Sequence, residues 1–125
     1  MPEAKFYRCN TCGNIVALIR RGGGTLSCCG SPMEELVAGS TDAATEKHVP
    51  QVSVEGDQVV VTVGSVEHPM LEEHYIQFIA LATEDGVTVK YLKPGMKPQA
   101  TFAKPAGALT AYEYCNLHGL WKAEA

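Results

Sequence analysis

Four of the five cysteines fall within the first thirty residues, as "CNTC" (Cys9, Cys12) and "CC" (Cys28, Cys29) with fifteen residues between the pairs. That arrangement constrains the possible folds more than any other feature. A segment the size of residues 1–37 cannot bury enough apolar surface to fold alone and needs a metal or a partner. Four thiols within reach of one tetrahedral ion suit Zn²⁺ or iron. A zinc ribbon ordinarily spaces its second pair as C-x2-C, so adjacent Cys28 and Cys29 impose a wider S–metal–S angle and fewer hydrogen bonds to sulfur. The spacing points to a metal and leaves structural zinc, redox iron and a disulfide scaffold as alternatives.

The rest of the chain has a different composition. All four histidines (His48, His68, His74, His118) lie beyond residue 38 together with the isolated Cys115. The net charge is −4; residues 1–38 carry +1, which leaves −5 for the remainder. Two units are expected, residues 1–37 and residues 38–125, with the polar stretch "AGSTDAATEK" (38–47) as the linker. The overall negative charge argues against nucleic-acid or anionic-membrane partners, which select a basic face. "MPEAKFYRCN" has no apolar signal run and no later segment is long enough to span a bilayer, so a cytoplasmic location is expected. Thiols stay reduced there, which favours metal over disulfide.

In the first unit, "YRCNTCGNIVALI" reads as a knuckle and short strand, "RRGGGT" as a turn and "LSCCGSPMEEL" as a second knuckle. Beyond the linker, short runs of β-formers alternate with turn residues at roughly 8–12-residue spacing. "QVSVEGDQVVVTVG" is a hairpin about Gly56-Asp57. "EEHYIQFIALAT", "VTVKYLK", "QATFA", "ALTAYEYC" and "LWKAE" read as further strands. The pattern predicts a mostly β chain, a small metal knuckle followed by an antiparallel β-sandwich, with no helix longer than a turn or two. Tyr112, Tyr114 and Trp121 are expected in the sandwich core.

Cys115 and His118 stand in a turn after a strand, a usual chelate spacing, and "EKHVP" and "EHP" set His48 and His68 close to prolines that keep the backbone extended. Single histidines are seldom ligands, but four of them with one cysteine in one small domain form a coherent set. Five donors overfill a closed zinc site. Blue copper uses two histidines, one cysteine and an axial methionine, and no methionine follows His118. Iron accepts five protein ligands and keeps a sixth position for a small oxygen species. The set therefore reads as an open mononuclear non-haem iron site.

With "CNTC", "CC", "STDAATEKHVP", "GSVEHPM", "HYI" and "EYCNLHGLWKAE" in place, the chain resembles the desulfoferrodoxins, the two-iron superoxide reductases, over essentially its full length. The resemblance implies a desulforedoxin-like Fe(Cys)4 unit held by Cys9, Cys12, Cys28 and Cys29, and an immunoglobulin-like seven-stranded sandwich. It implies two iron ions per chain, the second held by His48, His68, His74 and His118 as equatorial ligands with Cys115 axial. The implied enzyme activity is one-electron reduction of superoxide to hydrogen peroxide, with consumption of two protons and no release of O2. Lys47 would attract the anion and organise water for proton delivery. Glu46 resembles the carboxylate that closes the sixth position in the resting state. Leu117 and His118 N–H groups are expected to hydrogen-bond the Cys115 sulfur. A homodimer is implied, and an external electron donor, a rubredoxin or an NAD(P)H-linked reductase, because "RRGGGT" lacks the strand–turn–helix setting of a dinucleotide loop. Two alternatives stand beside this reading: a non-catalytic iron electron-transfer protein, and a zinc-knuckle interaction module.

Overall fold

A computed structural model describes residues 2–125 of the chain. In chain order the elements are β1 (Lys5–Arg8), β2 (Ile15–Leu18), β3 (Ser27–Cys28), β4 (Ser31–Pro32), β5 (Glu34–Glu35), α1 (Thr45–His48) and β6 (Pro50–Glu55). There follow β7 (Gln58–Val63), β8 (Ile76–Thr83), β9 (Gly86–Tyr91), β10 (Gln99–Ala103), β11 (Thr110–Cys115) and β12 (Gly119–Glu124). All strand pairings are antiparallel. Residues Ala4–Val37 form one compact unit, and Ala38–Ala125 with Pro2 and Glu3 form the other. Pro2 belongs to the latter: its carbonyl accepts a hydrogen bond from Thr110 Oγ1 at 2.7 Å.

The smaller unit is a three-stranded sheet in the order β2-β1-β5 and a two-stranded ribbon of β3 and β4. Only Phe6 and Cys9 are buried among its residues. So little apolar burial cannot offset the entropy of ordering the chain, roughly 1–2 kcal/mol per residue for the backbone alone.

The larger unit is a seven-stranded sandwich, with sheets in the orders β10-β7-β6 and β12-β11-β8-β9. The expected Gly56-Asp57 hairpin joins β6 to β7, with Glu55 opposite Gln58 and Gly56 at φ 65°. Between the sheets lie Val59, Val61 and Val63 from β7, Ala100 and Phe102 from β10, Ile76, Ile79 and Leu81 from β8, and Ala111 and Cys115 from β11. Alternation along β8 puts Ile79 and Leu81 inward. The register then slips at Tyr114/Cys115, so that Ile76 rather than Gln77 faces Cys115. A β-bulge of this kind re-aims side chains at the end of a sheet, and here it turns Ile76 into the core opposite Cys115, which alternation along β11 already points inward. Tyr112 and Tyr114 are buried as expected, but on the opposite face of β11, where Tyr114 stacks on Phe78 with ring centroids 5.8 Å apart.

Two segments differ from the sequence reading. The strand read from Glu72 starts only at Ile76, because Leu71 and His74 close a local bridge, each N–H donating to the other's carbonyl at 2.9 and 3.1 Å. The linker 38–47 is structured at its end, where Thr45–His48 make one helical turn. Among the described residues no helix is long and apolar enough to cross a membrane.

Stripping the metal from the four cysteines is expected to melt residues 4–37 and spare the sandwich. Amide exchange after treatment with a strong chelator should become fast throughout 4–37 while β7, β8 and β11 stay protected.

Candidate metal centres

In the smaller unit the four cysteine sulfurs lie within 4.8 Å of one another. Cys12 and Cys28 Sγ are 3.6 Å apart, and Cys28 and Cys29 Sγ are 3.9 Å apart. Side chains of consecutive residues on a strand point to opposite faces. Cys29 escapes that rule by taking φ 53°, followed by Gly30 at φ 75°. This left-handed pair brings two neighbouring thiols to one point, at the conformational cost that a non-glycine residue bears there. The Cys12 N–H, 3.5 Å from Cys9 Sγ, is the main reason the Cys9 thiol is drawn down to about 6. Hydrogen bonding with Cys12, and then with Cys9 and Cys28, pushes Cys29 up to about 12. One thiolate is easily formed and the last is strongly resisted. All four ionise together only around a cation, so the donor set fits a tetrahedral metal.

In the sandwich, four segments deliver ligands to one end. His48 ends α1, His68 and His74 lie in the loop before β8, Cys115 ends β11, and His118 lies in the turn to β12. Their donor atoms lie within 4.8 Å of one another. The imidazoles form a closed ring of edge-to-face neighbours: His48–His68 4.7 Å, His68–His74 4.7 Å, His74–His118 5.1 Å and His118–His48 4.9 Å between centroids. His48 donates Nδ1–H to Ala44 O and His68 donates Nδ1–H to Pro69 O, both at 2.7 Å. Each neutral ring therefore turns a bare Nε2 lone pair inward. These two nitrogens face each other at 3.2 Å, His118 Nδ1 is 3.2 Å from His48 Nε2, and His74 Nε2 is buried with no hydrogen-bond partner among the described residues. The lone pairs of His48 and His68 Nε2, so close, repel unless a cation lies between them. Cys115 Sγ is fully buried, 3.8 Å from His118 Nδ1. Burial raises its thiol, and the N–H groups of Leu117 and His118 pull the other way, as expected from the "NLHG" turn. The residues fit a metal with four imidazoles and one thiolate.

Several supporting residues gave no clear sign in the sequence. Trp121, read only as core, stacks on His48 with centroids 5.1 Å apart and donates Nε1–H to His118 O at 3.0 Å. Gly64 is a close approach. A Cβ there would lie 2.7 Å from Glu46 O and 3.0 Å from the Lys47 carbonyl carbon, while Val66 N–H and Ser65 Oγ donate to that same Glu46 carbonyl. The loop before His68 thus holds α1 by its backbone. Glu113, two residues before Cys115, is fully buried, and neither carboxylate oxygen has a hydrogen-bond partner among the described residues. Burial raises its carboxyl well above the usual range and favours the protonated form. Glu46 and Lys47 are exposed on α1; burial is the main reason that His48 and His74 are lowered, and the charge of Lys47 adds to it in both.

The family model for desulfoferrodoxin matches residues 40–124, and that for the desulfoferrodoxin N-terminal domain matches residues 2–36. Desulfoferrodoxin of Nitratidesulfovibrio vulgaris is 52% identical over 127 residues, covering 100% of both chains. The chain belongs to the desulfoferrodoxin family. Its four-cysteine cluster and its group of four histidines with one cysteine are the two iron centres of that family. Superoxide reductase of Pyrococcus abyssi is 38% identical over 104 residues, 68% of this chain and 90% of its own. The crystal structure of the superoxide reductase from Treponema pallidum superposes with a TM-score of 0.78 at 38% identity, covering 97% of this chain and 98% of that one.

Gly64→Ala is expected to push α1 off the loop at a cost of about 1–3 kcal/mol and to loosen His48. Chemical denaturation and iron retention should both report it. Acid acts through the histidines. Burial lowers His68 from 6.5 to about 4, so in the metal-free protein the unfolded chain takes up this proton first. That share of stability is present above 6.5, declines as pH falls, and is fully lost once folded His68 protonates near 4. The sandwich iron should accordingly survive mild acid and be released steeply towards pH 4, as followed by its absorption during a pH titration.

Proposed function

We infer that the chain is a superoxide reductase, reducing superoxide by one electron to hydrogen peroxide. The convergence of four imidazoles and one thiolate at the end of the sandwich carries this reading. A bound ferrous ion would supply the electron and, with five protein ligands, one position for the substrate.

The protein's own groups do the rest. His48, His68, His74 and His118 would hold the ion through neutral imidazole donors, and Cys115 would supply the fifth donor as a thiolate. The Leu117 and His118 N–H groups temper the donor strength of the sulfur. Superoxide is an anion, and Lys47 is the cation of the segment that bears His48. Its influence on His48 and His74 supports a role in drawing the anion in over short range, and its ammonium orders the water that delivers two protons. Glu46, exposed beside it, is the carboxylate of the same segment and would close the open position after turnover, favouring release of product. Peroxide then departs with both protons, and an outside donor restores the electron.

The donor is a rubredoxin or an NAD(P)H-linked reductase, and the smaller unit's iron relays or stores electrons. Exposed Cys12 and Cys29 support contact with such a donor. The protein removes superoxide in the cytoplasm of an anaerobe-type cell as a homodimer. The free edge of β9, with exposed Val87, Val89 and Tyr91, supports self-association.

Pulse radiolysis of the iron-loaded, reduced protein tests the reading. One peroxide formed per superoxide, with no oxygen evolved, is expected. Half a peroxide per superoxide would mean dismutation, and no accelerated decay would mean a pure electron carrier. Lys47→Ala should slow the bimolecular encounter on the order of ten-fold at low ionic strength and flatten its salt dependence.

A further inference from the structure

The four imidazoles are not held alike. His48 and His68 each donate Nδ1–H to a carbonyl, the usual device that fixes ring direction and tautomer in a ligating histidine. His118 is held at its own carbonyl by the Trp121 indole. The His74 ring makes no such bond among the described residues, and its Nε2 is buried without a partner. It is also only half-buried, so surrounding side chains do not enclose it. Yet His74 occupies the place between His68 and His118 in the ring of imidazoles. Its direction has to be set through its backbone.

That backbone is gripped on both sides by one residue. Asn116 Oδ1 accepts the Tyr75 N–H at 3.0 Å, and Asn116 Nδ2 donates to Glu73 O at 3.1 Å. The Asn116 N–H donates to Tyr75 O at 3.3 Å. On the far side the loop is closed by the Leu71–His74 bridge. Only a carboxamide offers a donor and an acceptor at the right separation for both bonds; a carboxylate keeps the acceptor alone. Asn116 directly follows Cys115, so the clamp ties the thiol-bearing end of β11 to the peptide units flanking His74.

We propose that Asn116 is a positioning residue of the five-donor centre. It fixes His74 relative to Cys115 through the backbone, in place of the ring hydrogen bond that His48 and His68 have. The proposal rests on the five donors binding iron. Outer residues that orient a ligand are commonly worth about 10–100-fold in metal affinity.

Asn116→Ala and Asn116→Asp in the iron-loaded full chain test this. The readouts are the rate at which a strong ferrous chelator strips the sandwich iron, the ferric–thiolate absorption of that centre, and hydrogen exchange at the Tyr75 amide. Asn116→Ala should release iron about ten-fold faster or more, shift the thiolate band and deprotect Tyr75. Asn116→Asp should keep Tyr75 protected through Oδ1 and release iron at an intermediate rate. The absorption of the four-cysteine centre should stay unchanged in both. Iron release and a thiolate band as in the parent, with Tyr75 deprotected, would show a tether without a positioning role and overturn the proposal alone. A Tyr75 amide that exchanges freely in the parent would overturn it too. Should the alanine variant not fold, unchanged release in Asn116→Asp counts against it. A parent protein that takes up no iron at these donors would overturn the metal reading and the proposal together.

Discussion

Crowded lone pairs govern the sandwich. Two bare Nε2 atoms at 3.2 Å, a third Nε2 with no partner among the described residues and a buried sulfur form an arrangement that repels itself. Its energy turns favourable only when positive charge lies at the centre. Holding such a set together before the ion arrives needs rigid supports, and they are visible. The valine-rich face of β7 and the Ile76, Ile79 and Leu81 face of β8 make a core against which the ligand loops are anchored. The bulge near Cys115, the close approach at Gly64, the Trp121 stack and the carbonyl bonds of His48 and His68 each remove one freedom from one ligand.

The smaller unit solves the opposite problem. It has almost no core, and its thiols are neighbours because Cys29 and Gly30 adopt left-handed backbone. There the ion holds the polypeptide in place, whereas in the sandwich the polypeptide holds the ligands in place. Cysteine suits the first task because an unliganded thiol is a tolerable, weakly polar side chain in a loose segment. Histidine suits the second because its outer nitrogen can be tied to the backbone while the inner one waits.

Much of this was legible in the residues, for physical reasons. Metal donors are few and chemically distinctive, so nine of them in two groups announced both centres before any fold was known. Strands such as "QVVVTVG" and "QATFA" declared themselves by alternation and bounding turns, and Gly56 marked its hairpin. The start of β8 was misread because Leu71–His74 closes on itself, a matter of backbone pairing that alternation does not encode. Trp121 was assigned to the core because an aromatic in a strand is ordinarily core; its stacking on His48 follows from a turn geometry that brings β12 beneath α1. Nothing in "AYEYC" marks Glu113 as a buried carboxyl, yet it shares the inward face of β11 with Ala111 and Cys115. Which face of a fully buried strand points inward depends on the sheet around it.

The chain has one tryptophan, and it lies face to face with a ligand of the sandwich iron. An indole excited beside an open-shell ion, and overlapped by thiolate absorption, loses its excitation to the metal rather than emitting it. Its emission therefore distinguishes a loaded from an empty centre at the site it touches. The intact molecule thereby carries its own lamp for watching that centre fill.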